Sequence, residues 1–574
     1  MPAPEREPAT VLIVRDVVAV DGDAGPGAEL AAPVDIVVEH GRIARVAAAG
    51  SATAAPSDHV VDGRGRLLLP GFVDAHAHAD GLLFDPDVQL ALLRQGVTTV
   101  IGGQDGVSYA PGDGAYASEY FAAVNGRHPG FDGGGIGSLL ASYDGATALN
   151  QALLVPAGTV RREVCGRSTD AATPAELDEM LSLVSAGLAD GAVGLSTGLD
   201  YVPGAFATTD ELARLAVPVA AAGAVYVSHM RGGYESGSQA GIDEIRAIAR
   251  HSGVAAHVSH FHAEPHLVHG LMAELAASGV DATFDAYPYT RGCSILAMPV
   301  LPASLTVRPT AEVVAAIADP VERARLLDDW FPTIVDYPSL GPDWPEQLTL
   351  AHVAAPAFAW AHGLTIGAAA ARAGTTPAEF TLDVLAASRL EVNVVMAVRY
   401  ARTDADLASI LGHPRAMGGS DGIFVGAHPH PRARGSFARY LRSLVVAQRA
   451  IGWSDAAALV STRAVDRFGL GDRGRVRPGA MADLVLVDPD RVADRATYDE
   501  PLALAEGIDD VFVAGVPVLA GGRLTGATPG RGIRRSDEGR IRSGPAHRSG
   551  SAHRSGPAHR SGRAHRSAAA ESEG

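Results

Sequence analysis

The chain contains no lysine; all 47 of its basic residues are arginine. That excludes a Schiff base to a side chain, a Walker-type phosphate-binding lysine and a carbamylated lysine bridging two metals. Cysteine is almost as scarce, with only Cys165 and Cys293 in 574 residues. Two thiols cannot make a disulfide framework or a cysteine-rich zinc site, and Cys165 is expected to be buried and inert. No run of about 18 apolar residues is present for a membrane span. The opening MPAPEREPATVLIV has no apolar signal-peptide core. These absences point to a cytoplasmic protein with no membrane partner. Positive charge is outweighed as well. A net charge of −18 argues against nucleic acid or an anionic membrane surface as a partner.

What remains is globular, 47% hydrophobic and 20% charged, and long enough for two or more domains. Residues 9–20 and 35–48 read as strands, with His40-Gly41 as a hairpin tip, and 483–488 and 509–520 have the same look. We expect one small β-sandwich built from both ends, 1–62 and 471–535, with a catalytic domain over 63–470 inserted between them. In that middle part short strands alternate with helical stretches such as 174–190, 209–223 and 240–252. Eight candidate strands end near His78, Gln104, Pro156, Thr197, His229, His260, Tyr287 and Ser420. The pattern is α/β and predicts a (β/α)8 TIM-like barrel, whose chemistry lies at the C-terminal strand ends. Residues 291–350 read as an insert or lid over those ends. From 536 to 574 the sequence is a low-complexity repeat (SGPAHR, SGSAHR, SGPAHR, SGRAHR) with little to bury, expected to be disordered.

The chemistry-bearing residues fall at the predicted strand ends. In Pro70-Gly71-Phe72-Val73-Asp74-Ala75-His76-Ala77-His78-Ala79-Asp80 the two histidines are two apart, so a strand points both to one side. Asp105, His229, His260 and Asp421 close four further strands. Four imidazoles and two carboxylates suffice for one or two divalent ions with a position left for water. On strand six His260 and His262 share a face while His257 points away; we take His260 as ligand and His262 as a neighbour of ligand or substrate. Asp74 reads as structural, His266 and His269 as helix surface. His428 and His430 read equally as mouth or surface loop, and Tyr201 as pocket wall or packing.

The motifs together resemble the amidohydrolase superfamily, and within it the N-acyl-D-amino-acid deacylases (D-aminoacylases). They are His-Ala-His-Ala-Asp after a Pro-Gly-Phe strand, Gly-Val-Thr-Thr-Val, Gly-Leu-Ser-Thr-Gly-Leu-Asp-Tyr-Val-Pro-Gly over 194–204, and His229-Met230-Arg231-Gly232. Further on come Ser259-His260, Asp285-Ala286-Tyr287-Pro288-Tyr289-Thr290 and Gly419-Ser420-Asp421-Gly422. The resemblance implies a metal-dependent barrel hydrolysing the amide of an N-acyl-D-amino acid to a carboxylic acid and a D-amino acid. His76 and His78 match its first-strand metal pair, and His229 and His260 the tighter metal site. Asp421 matches the aspartate that binds metal and acts as general base and acid towards the metal-activated water. Arg432 matches the arginine for the substrate carboxylate. Tyr287, His262 and Cys293 fall at positions near substrate. The implied cofactor is zinc, one or two ions; the implied partner is a small-molecule substrate.

Two departures stand out. Where the family has Asn-Cys-Gly with a thiolate ligand, this chain has Gln104-Asp105-Gly106. A carboxylate is a harder ligand and moves the preference toward Mn2+ or Fe2+; Asp105 is expected to ligate and can bridge. Where the family has lysine, this chain has His262, a titrating group in place of a fixed charge. The missing lysine weighs against cyclic-amide hydrolysis through a carbamate bridge. A dipeptidase or deaminase of the same superfamily, or an inactive scaffold, stands as the alternative function.

Overall fold

The structure, a computed structural model, describes residues 11–25, 27–336, 340–398 and 402–535. The repeat tail from 536 lies outside the described residues. Near the N-terminus, Val34–Glu39 and Arg42–Ala48 form an antiparallel hairpin. His40 and Gly41 at its tip both have positive φ, 52° and 76°, as a tight hairpin turn of matching twist requires. The strand Leu12–Ala19 breaks at Asp16 (φ 52°). Before the break it pairs with His59–Asp62, and after it with Leu67–Leu68. Leu484–Val487 runs antiparallel to Leu67–Pro70, and Ile508–Val513 and Val516–Ala520 add beyond it. The two ends of the chain therefore share one nine-stranded sheet. Leu12, Val14, Ile36, Leu68, Leu484, Leu486 and Phe512 pack into its core.

The expected barrel follows. Phe72–Asp74 pairs with Val97–Gly102, which pairs with Asn150–Leu153. That third strand steps past Leu154 to Val155–Pro156, which pairs with Gly194–Gly198. Val225–His229, Ala255–Val258, Ala282–Ala286 and Ala416–Gly418 come next in order. Gly422–Ile423 then pairs with Ala77–His78, the continuation of the first strand, and the ring closes. All these pairings are parallel, which leaves every strand's C-terminal end at one mouth. The outer helices include Pro174–Ala189, Thr209–Ala221 and Ser238–Ser252. The first of these is started by Thr173, whose hydroxyl accepts from Glu176 N while the Glu176 carboxylate accepts from Thr173 N.

Three boundaries differ from those read in the sequence. The terminal sheet takes in Leu67–Pro70, so the chain enters the barrel at Gly71 rather than at 63. A Cβ at Gly71 would lie 2.2 Å from Thr98 Oγ1, so only glycine fits where sheet and barrel press together. At the other end, 530–535 leave the sheet and run along the barrel, with Ile533 N donating to Gln151 O and Gly530 N to Thr147 O. The insert extends from 291 to 397 rather than to 350. Arg291–Ile295, Val392–Ala397 and Leu348–Val353 form an antiparallel sheet of their own. Helices pack on it through Leu296, Val300, Phe331, Ile334, Trp344 and Phe380.

The insert is tied to the barrel by Asn393 Nδ2 donating to Ala123 O at 2.5 Å, and by Tyr201 and Ser294, whose hydroxyls lie 2.8 Å apart. Arg127 Nη2 meets Glu391 Oε2 at 2.6 Å. His352, with Nε2 3.8 Å from Glu391 Oε1, then Arg127, hold the Glu391 carboxyl down to about 2, against the opposing effect of burial. A carboxyl lowered on folding stabilises above its unfolded pKa and loses that contribution as pH falls through the folded one. Between pH 4.5 and about 2 the tie is therefore expected to fail. Thermal midpoints of wild type and Glu391→Gln, recorded against pH, should differ near neutrality and converge across that window.

Candidate metal centre and its cavity

The six sequence-predicted ligands meet at the barrel mouth around Asp105. His76 Nε2 lies 3.6 Å from Asp105 Oδ1, and His260 Nε2 lies 3.7 Å from the same oxygen. His78 Nε2 and His229 Nδ1 each lie 3.6 Å from Oδ2. Asp421 Oδ1 closes the other side, 3.3 Å from His78 Nε2 and 3.8 Å from His76 Nε2. His229 Nδ1 and His260 Nε2 approach to 3.1 Å. The arrangement contains two overlapping triads, His76-His78-Asp421 and His76-Asp105-His260, each with its ligand atoms within 4.8 Å of one another. His76 is shared between them.

The backbone turns sharply to aim these groups. Asp105 (φ 53°), His260 (φ 34°) and Asp421 (φ 49°) all adopt the left-handed conformation just past a strand end. Such geometry is strained for a residue with a Cβ and is held by its surroundings. The Asp80 carboxylate, at the close of His-Ala-His-Ala-Asp, holds the Asp105 loop by accepting from Gly103 N at 2.9 Å and Ser108 Oγ at 2.6 Å. Asp74, buried, accepts from Ser420 Oγ, Ser420 N and His76 N, and Asp421 N donates to His76 O. The structural reading of Asp74 is what the geometry shows. Asp285 accepts from His260 N and faces His257 Nε2 at 2.9 Å, and lies 3.4 Å from His76 Nδ1. Asp200 lies 3.3 Å from His229 Nε2, behind the ligand ring. Sequence reading assigned no role to Asp80, Asp200 or Asp285, although each stands inside a quoted motif.

Burial alone would depress the His76 pKa, but Asp285, Asp105 and Asp421 outweigh it and raise it to about 9. His229 is likewise pulled by Asp105 and Asp200 to about 10 against burial. Burial would raise Asp105, yet His229, His260 and His76 hold it well below the usual carboxylate range. Asp421 is held low against burial by Arg432, then His260. The cluster is a buried set of carboxylates in need of positive charge. His76 Nε2 and Asp105 Oδ1 are buried without a hydrogen-bond partner although they face each other at 3.6 Å. Converging acceptors of this kind fit a divalent ion, so the residues present suit a metal centre.

A cavity of about 730 Å³, open to solvent, stands over the cluster. Asp105, His229, His260 and Asp421 form its floor, and Tyr201, Tyr234, Tyr287 and His262 part of its wall. The insert supplies Gly292, Cys293, Ser294, Met298 and Met396. Cys293 lies in this wall, with its thiol pushed up by burial to about 12, and is no nucleophile. Tyr201 is a lining residue. Arg432 is wholly buried beneath the wall: Nη2 contacts Asp421 Oδ2 at 2.8 Å, and the guanidinium lies 4.5 Å from the Tyr287 ring centre. His430 is buried too and accepts from Arg432 N, so it sets the arginine rather than the mouth.

The expectation of a titrating charge at His262 is overturned. Strand six ends at Val258, so alternation no longer governs His260 and His262. The His262 ring stacks on Tyr287, with centroids 4.1 Å apart, and its nitrogens face His260 O and Tyr287 O. Burial, then the charge of Arg402, push its pKa down to about 3, outweighing the two carbonyls. Cys165, expected to be buried, is half-buried. His266 is exposed on its helix, as read.

Residues 59–519 match the model of the amidohydrolase family, and the chain belongs to that family. Within it the similarity is to the N-acyl-D-amino-acid deacylases. N-acyl-D-glutamate deacylase of Alcaligenes xylosoxydans xylosoxydans is 32% identical over 506 residues, 86% of this chain and 91% of that protein. N-acyl-D-aspartate deacylase of the same organism is 30% identical, over 92% of this chain and 95% of that protein. Among solved structures, N-acyl-D-glutamate deacylase from Bordetella bronchiseptica, complexed with zinc and a phosphonate mimic of the tetrahedral intermediate, is similar at TM-score 0.73 and 30% identity. That match covers 92% of this chain and 100% of that one. No helix among the described residues is long and apolar enough to cross a membrane.

Removing the charge of Asp285 takes a carboxylate away from both His76 and His257 without touching a ligand. Asp285→Asn is expected to weaken zinc binding about 10- to 100-fold, read by competition with a chromogenic chelator. Affinity unchanged from wild type would show that Asp285 does not orient the site.

Proposed function

We propose that this chain hydrolyses the amide of N-acyl-D-amino acids, releasing a carboxylic acid and a D-amino acid. The observation that carries the reading is the cluster in which Asp105 faces four imidazoles with Asp421 closing the ring, at the floor of an open cavity. His76, His78, His229, His260, Asp105 and Asp421 would hold one or two divalent ions, zinc foremost, with manganese or iron favoured by a carboxylate at 105. An ion held there supplies Lewis acidity toward the amide carbonyl and lowers the pKa of water.

The rest falls to the chain's own groups. Asp421 points Oδ1 at His78 and Oδ2 at Arg432, so its two oxygens are differently engaged. It takes the proton from the attacking water and returns it to the amide nitrogen as the C–N bond breaks. Arg432, then His260, favour its ionised form against burial. Arg432 carries Nε and Nη1 buried without partners, and these spare donors would serve the substrate α-carboxylate. Tyr287 stacks on the guanidinium and fixes its plane. Tyr201, Tyr234 and the insert wall narrow the cavity above the cluster.

Asp421→Asn should lower kcat by about 10²- to 10⁴-fold while part of the metal is retained by mass spectrometry of the native protein. Near-native turnover would remove Asp421 from its role. On matched N-acetyl-D- and N-acetyl-L-amino acids, run with zinc and with manganese, turnover is expected for the D-series. Release of ammonia from a purine base instead would point to a deaminase.

A further inference from the structure

A second cleft borders the wall of the catalytic cavity. Tyr201 and Ser294 line that cavity, while their chain neighbours Val202, Pro203 and Ile295 line the cleft. The end of the barrel helix Ala157–Cys165 and the turn after Ala303–Thr306 of the insert bound it further. Its charge is one-sided. Arg162, Arg167 and Arg308 line the cleft, and among the described lining residues the one carboxylate is Glu119. On a chain of net charge −18 this is a local reversal of sign.

The fold does not use these arginines up. Glu119 is already engaged, accepting from Thr310 N at 3.1 Å and meeting Arg167 Nη2 at 3.4 Å. Arg167 Nη1 donates to Val307 O at 2.8 Å, which carries it across from barrel to insert. Arg162 and Arg308 make no hydrogen bond or ion pair with a described residue, and Arg162 Nε is buried without a partner. Arg162 and Arg167 act on the same two groups. Against burial, Thr310, then both arginines, hold the Glu119 carboxyl below its usual value; burial raises the Tyr116 hydroxyl, and both arginines oppose it. A buried donor with no acceptor is costly, and a guanidinium fork fits a phosphate or carboxylate edge. Three such forks beside one engaged carboxylate suit an acceptor with more than two oxygens. Tyr116 and Tyr120 stack beside them, centroids 5.6 Å apart. Tyr116 Oη donates to Val202 O, and Tyr120 Oη accepts from Val202 N at 3.2 Å, so the peptide next to Tyr201 is held from the cleft side.

We propose that this cleft is a second ligand site, taking a tetrahedral oxyanion of the phosphate type, free or as a monoester. Arg162 and Arg167 supply donors from the barrel and Arg308 from the insert, so the bound anion joins the two parts. The Tyr116–Tyr120 pair carries its presence to Val202, and so to Tyr201 in the wall of the catalytic cavity. Such binding needs no turnover and stands whatever the barrel hydrolyses.

The test is calorimetry of inorganic phosphate on the full, metal-loaded chain, repeated after a chelator has stripped the metal, with chloride at matched ionic strength as the blank. One phosphate per chain is expected to persist in the stripped state. Arg162→Gln and Arg308→Gln should each weaken it at least about 10-fold. Arg250→Gln, exposed on the outer helix Ser238–Ser252, should leave it unchanged. Arg308 is exposed and tied to no described group, so its loss should not move the thermal midpoint of the anion-free chain. Hydrogen exchange should slow over 200–206 and 303–310 when phosphate is added, in wild type and not in Arg308→Gln. Glycerol phosphate binding as tightly as phosphate identifies a monoester as an occupant, and binding of phosphate alone identifies the free anion; either upholds the site. Acetate binding as tightly as phosphate overturns the tetrahedral assignment. Binding confined to the metal-loaded chain would place the anion on the metal and overturn the site. Equal affinity in wild type and both arginine variants, or a response that chloride reproduces, overturns it as well.

Discussion

A buried carboxylate is the hardest thing this barrel has to support. Asp105 lies among imidazoles with almost no access to water, and its ionised form persists only because His229, His260 and His76 surround it. Each of those imidazoles is in turn steadied by a further acid: His229 by Asp200, His76 by Asp285, and His260 through its backbone N–H, also by Asp285. The charges form a nested arrangement, and the closed barrel is what keeps it in register. Eight strand ends from distant parts of the sequence must arrive at one mouth for the acids and imidazoles to meet. A gap in the ring between Gly422 and Ala77 would pull Asp421 away from His76 and His78.

The catalytic floor and the cavity wall answer to different parts of the chain. The floor is written on barrel strands, whose pairing leaves little freedom. The wall is written on the insert, which carries its own sheet and its own core and meets the barrel through polar ties and through Ile295, Cys293 and Met298, which pack into the barrel's core. A family that keeps one reaction and varies its substrates can change the second without disturbing the first. The soft residues facing the cavity, Met298 and Met396 among them, come from the insert.

Much of this was legible before any coordinates. The alternating strand and helix pattern gave the barrel, and strand periodicity put His76 and His78 on one side. The placement of polar residues at strand ends gathered Asp105, His229, His260 and Asp421. The reading failed where a periodic rule was carried past the element it belongs to. Strand alternation predicts His260 and His262 as neighbours on one face, but the chain has left the strand by Ser259 and His260 is left-handed. The ring of His262 is thereby delivered to two carbonyls instead of to solvent. The insert was cut short at 350 because Leu348–Val353 and Val392–Ala397 are apolar runs with nothing in their local pattern to mark an antiparallel sheet outside the barrel. Asp80, Asp200 and Asp285 escaped for a related reason: a carboxylate that supports a ligand looks the same in sequence as one that ligates, and only the direction of its oxygens separates them.

The shared sheet at the chain's two ends has a consequence for how the molecule is made. Leu67–Pro70 leads straight into the strand bearing His76 and His78, yet its neighbour on one side is Leu484–Val487. On the ribosome that neighbour emerges after the whole barrel and insert. Leu67–Pro70, the strand that leads into the first metal-type strand, therefore waits with one edge unpaired through almost the entire synthesis of the protein. The segment 530–535, which bonds to Gln151 beside the second and third barrel strands, is later still. The centre is thus among the last features to be secured, and a chain stopped short of its C-terminal strands would carry every ligand and lack the clamp that holds their scaffold shut.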